Sequence, residues 1–414
     1  MIILDRHLLY LIYIFISVFL SVYSVLYIFS LFYFGRKTGK RQQSSLSPDN
    51  LTVLIPVYKE RPEIFKKCIR SVASQKARLV VVGDGCSEPY KSITKENGGM
   101  FIYLPKNSGK KTALSEGIKR IKTDYVMLLD SDTILSKNAV KGLLAGFDDG
   151  VGGVGAEIKI IKKKNKFIYY SSEMLQRLRQ LSFKPMSYFG KVMVLNGQCS
   201  VYRTKLIKDF VSSDSFLNAK FMGKKVNNGD DALLTRHINS TGYKTKMMQN
   251  VLVYTDSQDS FKKLIKQTVR WSRTGYMYFF NDLKSGNLFK NGVFYAFSLV
   301  YIYTLPLLTL VLIVLRGGLL LNLIFRRGVY FGWLVFFRSL IQTPAVLSSF
   351  ALPYTGLRVI SILAGILMIV LLVRSVEENK IRFMSYGSIM LLVMLFSAIY
   401  GLLSISRHNQ WMTR

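Results

Sequence analysis

Asp130-Ser131-Asp132 sets two carboxylates one residue apart directly after the apolar run Tyr125–Leu129 (YVMLL). Oxygen donors of this kind suit Mg²⁺ or Mn²⁺, which bind through one or two carboxylates and complete their shell with substrate phosphates. Asp and Ser are also common in turns and helix caps, so the pair alone fits a structural role equally well. A second acidic pair, in Gly229-Asp230-Asp231, precedes a stretch with helical spacing, ALLTRHINSTG. Adjacent carboxylates repel, which raises one pKa and favours a general base; a loop followed by a helix cap is the structural alternative. The third element is Gln267-Thr268-Val269-Arg270-Trp271. Arg presents a rigid fork to phosphate oxygens, and Trp a flat apolar face on which a sugar ring can stack. An amphipathic helix anchored at a membrane surface by its Trp uses the same residue types, and the two uses are compatible.

These residues need a scaffold, and the sequence indicates one. Short apolar runs at Leu51–Pro56, Arg78–Val82, Met100–Leu104 and Tyr125–Leu129 alternate with helical spacing over 64–74 and 111–121. Continuous apolar runs are the mark of buried parallel strands, and their alternation with helices predicts an α/β sheet. Ligands bind such sheets beyond the carboxyl ends of the strands. Tyr58, Lys59 and Glu60 follow the first run, Asp84 the second, and Asp130 and Asp132 the fourth.

The flanks are of another kind. Residues 8–34 carry no charge and are long enough to cross a bilayer, and Arg36, Lys37, Lys40 and Arg41 follow at once. A cleaved leader would be shorter and end in small residues. The basic flank predicts that the next region is cytoplasmic. Further membrane segments are expected at 292–315, 329–351, 355–373 and 384–405, with Arg338 an anomaly inside the second. The formal net charge of +33 fits basic cytoplasmic loops and attraction to anionic substrates or headgroups. No zinc-ligand spacing or RNA-binding signature accompanies it, so nucleic acid is not an expected partner. Cys68, Cys86 and Cys199 form no CxxC pair, and His7, His237 and His408 are dispersed. The basic run Lys159–Lys166 (KIIKKKNK) reads as a solvated loop, with headgroup or polymer contact as the alternative.

Taken in order, the strands, Asp84-Gly85, D-x-D, G-D-D and Q-x-x-R-W before a membrane span resemble the processive family 2 glycosyltransferases, the hyaluronan, chitin and cellulose synthases. The resemblance runs from Leu51 to about Phe280. Asp130-Ser131-Asp132-Thr133, Asn196–Arg203 (NGQCSVYR), Gly229–Arg236 (GDDALLTR) and Trp411-Met412-Thr413-Arg414 bring it nearest to hyaluronan synthases and the chitooligosaccharide synthases of nodulation. Two departures stand out. Ala232-Leu233 replaces the usual Arg-His, and Met412 replaces Gly or Leu, which leaves the donor sugar open.

The resemblance implies a cytoplasmic GT-A-type (Rossmann-like) α/β domain inserted between the transmembrane helices of a polytopic membrane protein. Its implied organisation is a membrane helix to residue 35, a basic, Ser-rich linker over 36–50, the transferase domain over 51–260 and interfacial helices over 261–290. A membrane region over 291–405 and a cytoplasmic tail over 406–414 would complete it. It implies that Tyr58, Glu60 and Asp84 line the base pocket and that Lys110 and Lys111 approach the uridine or diphosphate. Asp130 would contact the nucleotide sugar, Asp132 would bind Mn²⁺ or Mg²⁺, and Asp231, beside Asp230, would deprotonate the acceptor. Gln267, Arg270 and Trp271 would hold the diphosphate and acceptor, Cys199 would sit in a loop beneath the acceptor, and Trp411 and Arg414 would close over the nucleotide. The implied partners are UDP-sugars, a growing polysaccharide and the bilayer. UDP-GlcNAc with UDP-GlcA would give hyaluronan, and UDP-GlcNAc alone a chitin-like polymer. A single-sugar transferase acting on a lipid phosphate would need neither Q-x-x-R-W nor the tail motif.

Overall fold

The computed structural model describes residues 6–37, 46–329 and 351–408. They divide between two compact units, Met1–Tyr33 with Phe297–Glu378 and Phe34–Ala296 with Asn379–Arg414. Helix α1 (Arg6–Lys37) comes first. The α/β part follows as β1 (Leu51–Val57), α2 (Pro62–Ala73), β2 (Arg78–Asp84), α3 (Tyr90–Glu96), β3 (Met100–Leu104), α4 (Lys110–Lys119) and β4 (Tyr125–Leu129). It continues with β5 (Thr133–Leu135), α5 (Ala139–Leu144), β6 (Val151–Ile160), α6 (Lys166–Tyr188), β7 (Cys199–Arg203), α7 (Thr204–Ser212) and α8 (Asp214–Leu217). A short hairpin, β8 (Lys220–Phe221) and β9 (Lys224–Lys225), leads to α9 (Asp230–Ser240), β10 (Lys244–Thr255), α10 (Phe261–Lys284) and α11 (Asn287–Lys290). The remaining helices are α12 (Val293–Arg327), α13 (Ala351–Arg374) and α14 (Lys380–Leu403).

The sheet order is β3-β2-β1-β4-β7-β6-β10-β5. Strands β3, β2, β1 and β4 are parallel, and β7 runs antiparallel between β4 and β6. The chain winds outward from β1 to β3 and returns to the other side of β1 as β4, so a topological switch lies between β1 and β4, where α/β sheets bind ligands. Both strands are apolar because helices cover both faces: β1 is buried at every position except Pro56, and β4 at every position. The β3 and β4 runs read from the sequence coincide with the strands. Strands β1 and β2 each run on to the residue that begins their loop, Val57 and Asp84.

Helix α2 starts with Pro62, whose missing N–H costs nothing in a first turn. It buries Ile64, Phe65, Cys68, Ile69 and Val72 on one face, at helical spacing, against β1 and β4 residues such as Val53, Ile55 and Met127. Each such side chain contributes about 1.5–3 kcal/mol by leaving water. Helix α6 is held to β6 by a buried network: Arg177 donates to Glu173 (3.0 Å), Glu157 (2.8 Å) and the Ile158 carbonyl (3.0 Å), and Glu173 accepts from the Ile160 amide (2.6 Å).

Among the described residues, helices Leu11–Arg36, Val293–Gly318, Thr355–Arg374 and Lys380–Leu403 are long and apolar enough to cross a membrane. The expected segment at 329–351, with Arg338, lies almost wholly outside the described residues. In the first unit, α12 and α13 each turn an arginine onto α1: Arg316 Nε donates to the Tyr13 hydroxyl (2.7 Å), and Arg358 bonds to Ser17. Helix α14 belongs to the other unit and packs against α6 and α10. Its Gly387 faces Met174, and its Gly401 faces Ser272 and the Arg273 backbone.

Candidate functional site

Asp130 is the first residue beyond β4, and its backbone amide bonds to the Gln198 carbonyl at 3.1 Å. Its side chain accepts from Lys110 Nζ at 2.7 Å, and the same ammonium lies 3.3 Å from Asp230. One lysine at the start of α4 thus joins the two acidic motifs, which are far apart in sequence. Burial works against the Lys110 charge, but Asp130 and Asp230 outweigh it and its pKa rises.

Asp230 and Asp231 open α9, where free amides and the helix dipole favour negative charge. The turn before them needs Gly229, at φ +82°, where a Cβ would also strike Thr274 and Tyr278 of α10 at 2.9 Å. Gly197, in the loop before β7, makes similar room: a Cβ there would lie 3.0 Å from an Asp231 oxygen. Burial and Asp230 push the Asp231 carboxyl up to about 6, against the pull of Lys110, the Ala232 amide (2.8 Å) and Arg179.

Asp132 sits among further acids. Burial first, then Asp130, Glu60 and Asp256, pushes its pKa up to about 7, and the Thr133 and Thr255 hydroxyls donate to it at 3.3 and 3.4 Å. Glu60 accepts from the Ser131 hydroxyl at 3.2 Å. Asp256, the residue after β10, was not singled out from the sequence. It is paired with Arg61 and with Lys163 (3.0 Å), and Lys163 also binds Asp259 (3.1 Å) and the Ser257 carbonyl (2.6 Å). Lys163 therefore clamps the loop between β10 and α10, whereas the basic run that contains it had read as a solvated loop.

Asp84 ends β2 and accepts from the Ser108 and Gly109 amides at 2.7 and 2.9 Å, fixing the turn that launches Lys110. Lys111, expected near the diphosphate, is buried instead and donates to the Val226 carbonyl at 2.7 Å, supporting the segment before Gly229. Burial brings its pKa down to about 8. Cys199 is the first residue of β7, paired with Leu129 in the core beside Asp130, and is not in a loop. Tyr58 follows β1 and stands beside Lys59, whose ammonium is 5.4 Å from its ring centre.

Gln267, Arg270 and Trp271 lie at i, i+3 and i+4 on α10, so they share one face. The Trp271 ring carries the Arg179 guanidinium at 4.4 Å from its centre. Arg179, on α6, acts electrostatically on Asp231 as well, and so connects the Trp platform with the acidic pair. No motif pointed to it, because it is a lone Arg in a stretch for which the sequence indicated no element or role. Trp411 and Arg414 lie outside the described residues. The segment leading to them is docked: Arg273 donates to the Arg407 carbonyl (2.7 Å) and Ser404 (2.9 Å), and a His408 ring nitrogen lies 3.3 Å from the Lys224 carbonyl.

Residues 48–274 match the family described as Glycosyltransferase like family 2. The chain is 25% identical over 293 residues to hyaluronan synthase 3 of Mus musculus, covering 58% of this chain and 52% of that protein. It is 29% identical over 245 residues to an N-acetylglucosaminyltransferase of Mesorhizobium japonicum, covering 55% and 56%. The chain therefore spans about half the length of the curated relatives it matches. A mannosyltransferase from Pyrobaculum calidifontis, solved with GDP-Man and Mn²⁺, shares the fold at a TM-score of 0.56 and 15% identity, over 86% of this chain and 98% of that one. With more than half of its residues matched, and its acidic motifs gathered at the switch point of a GT-A-like sheet, the chain belongs to the family 2 glycosyltransferases.

Proposed function

We propose that this transferase is a processive, inverting enzyme that polymerises UDP-sugars into a β-linked polysaccharide and passes it across the membrane, with hyaluronan as the product. The observation that carries the reading is the Lys110 bridge, which sets Asp130 and the Asp230-Asp231 pair around one small space. Relatives named hyaluronan synthase and N-acetylglucosaminyltransferase support the substrate class. The four candidate membrane helices support a polytopic protein, and the basic flank Arg36, Lys37, Lys40 and Arg41 supports a transferase domain on the cytoplasmic side.

In this reading Asp231 removes the acceptor hydroxyl proton as the oxygen attacks the anomeric carbon, and the bond to the diphosphate breaks on the opposite face. One displacement inverts the centre, so an α-linked donor gives a β-linkage. Asp130 contacts the nucleotide sugar, while Tyr58, Glu60 and Asp84 border the base. Lys110 moves from its carboxylates to the departing diphosphate, and Arg270 adds a second cation there. Gln267 and Trp271 hold the acceptor ring. Asp132, with Glu60 and Asp256 nearby, fits a hard divalent cation such as Mn²⁺ or Mg²⁺. When bound, that ion supplies charge neutralisation to the leaving group.

The test is to incubate the purified chain in detergent with Mn²⁺ or Mg²⁺ and UDP-GlcNAc, with and without UDP-GlcA. Polymer that needs both donors and is digested by hyaluronidase is the expected result. Polymer from UDP-GlcNAc alone would make it a chitin-type synthase, and a single sugar on an extractable lipid would make it a non-processive transferase. No UDP release from either donor would sink the proposal.

A further inference from the structure

Beside the site, α9, which carries Asp231, and α10, which carries Gln267–Trp271, are joined by a partly buried ion pair. Arg236 Nε donates to Asp282 Oδ1 at 2.9 Å, and its Nη2 donates to Oδ2, a fork-to-fork arrangement. Asp282 is only 3% exposed, and the Tyr295 hydroxyl, in the first turn of α12, donates to its Oδ2 at 3.1 Å. The Arg236 guanidinium also lies 4.6 Å from the centre of the Tyr278 ring. Tyr278 in turn donates to the Gly229 carbonyl at 3.2 Å, immediately before the acidic pair. The turn that launches Asp230 and Asp231 is therefore held from α10 directly, through Tyr278, and a second time through Arg236.

We propose that Arg236, Asp282 and Tyr295 form a positioning unit that fixes Asp231 relative to Arg270 and Trp271 and ties that alignment to the start of α12. The proposal rests on Asp231 as the base. A buried ion pair adds little net stability over an apolar packing of the same shape, but its two bonds admit one geometry. A base displaced by about 1 Å costs on the order of 100-fold in rate. None of the three residues touches the reacting atoms; they act through α9.

The full chain in detergent tests this through Asp282→Asn, Arg236→Gln and the double substitution, which replaces the charged pair by two amides. Each single substitution should lower kcat for UDP release by at least about tenfold, with the donor KM within about two-fold of wild type. The double substitution should recover part of the loss, because the bonded geometry returns without an unpaired buried charge. Single variants with wild-type kcat would overturn the proposal. So would losses that only follow the folded fraction, measured by thermal unfolding of the same samples. Wild type in the same assay separates the two readings. A wild type that releases no UDP fails the transferase reading itself, whereas an active wild type with unaffected variants fails the positioning unit alone.

Discussion

As the proposed base, Asp231 would have to be both a carboxylate and a good proton acceptor, and its surroundings suit both demands. Burial and the neighbouring Asp230 raise its pKa to about 6, while Lys110 and the Ala232 amide keep the rise moderate. A base near 6 is ionised at neutral pH yet holds a proton far better than an ordinary aspartate. In that role the ionised form is the active one, so the proposal predicts a rate that falls as pH drops through about 6, approaching tenfold per unit below it. A pH profile of kcat for UDP release checks this; a flat profile down to pH 5 would take Asp231 out of the base role. Asp231→Asn should lower transfer by about 10²–10⁴-fold and leave UDP binding, followed by calorimetry, in place. The acidic residues themselves were legible in the sequence because each follows an apolar run or opens a helix. Asp256 and Arg179 were not, because Asp256 follows the mixed, alternating strand Lys244–Thr255 instead of a continuous apolar run, and a lone Arg in a helix carries no spacing that marks it.

At the scale of elements, the site depends on turns that present side chains. Asp84 accepts both the Ser108 and the Gly109 amides, and Gly109, at φ +90°, leads directly into Lys110. The family resemblance implied that Asp84 borders the nucleotide base; in the structure its carboxylate holds the loop before α4. Asp84→Ala should cost about 1–3 kcal/mol of stability and raise the donor KM several-fold, because Lys110 loses its fixed approach. Thermal unfolding and donor titration measure the two effects, and an unchanged KM would confine Asp84 to the fold. The strands were readable because buried parallel strands are apolar along their whole length. Lys111 was misjudged because neighbouring helix positions point about 100° apart. Lys110 therefore reaches the carboxylates, while Lys111 turns under the segment before Gly229.

Across the whole molecule, α14 is apolar enough to cross a membrane, yet it packs on α6 and α10 beside the residues that carry Trp271. A Cβ at Gly401 would meet Ser272 Cβ at 2.9 Å and the Arg273 amide nitrogen at 3.0 Å, so close approach needs Gly there. Gly401→Leu should destabilise by about 1–3 kcal/mol and lower transfer. Gly365→Leu, in α13, where no described atom beyond the surrounding helix backbone lies within 4 Å of the new Cβ, should leave both unchanged. Thermal unfolding and UDP release compare the two variants, and equal behaviour would mean that the α14 contact does not support the site. By itself the sequence determined the α/β class, the apolar helices, and the acidic and Q-x-x-R-W motifs, because period, hydropathy and strand-end position are local properties. Only the tertiary structure decided which motifs meet. Asp130 and Asp230 are a hundred residues apart in the chain, and it is the order of strands around the switch point and the reach of Lys110 that bring their charges together. Arg236 finds Asp282, and Lys163 finds Asp256, for the same reason: a pairing between distant segments exists only once the helices and strands have packed.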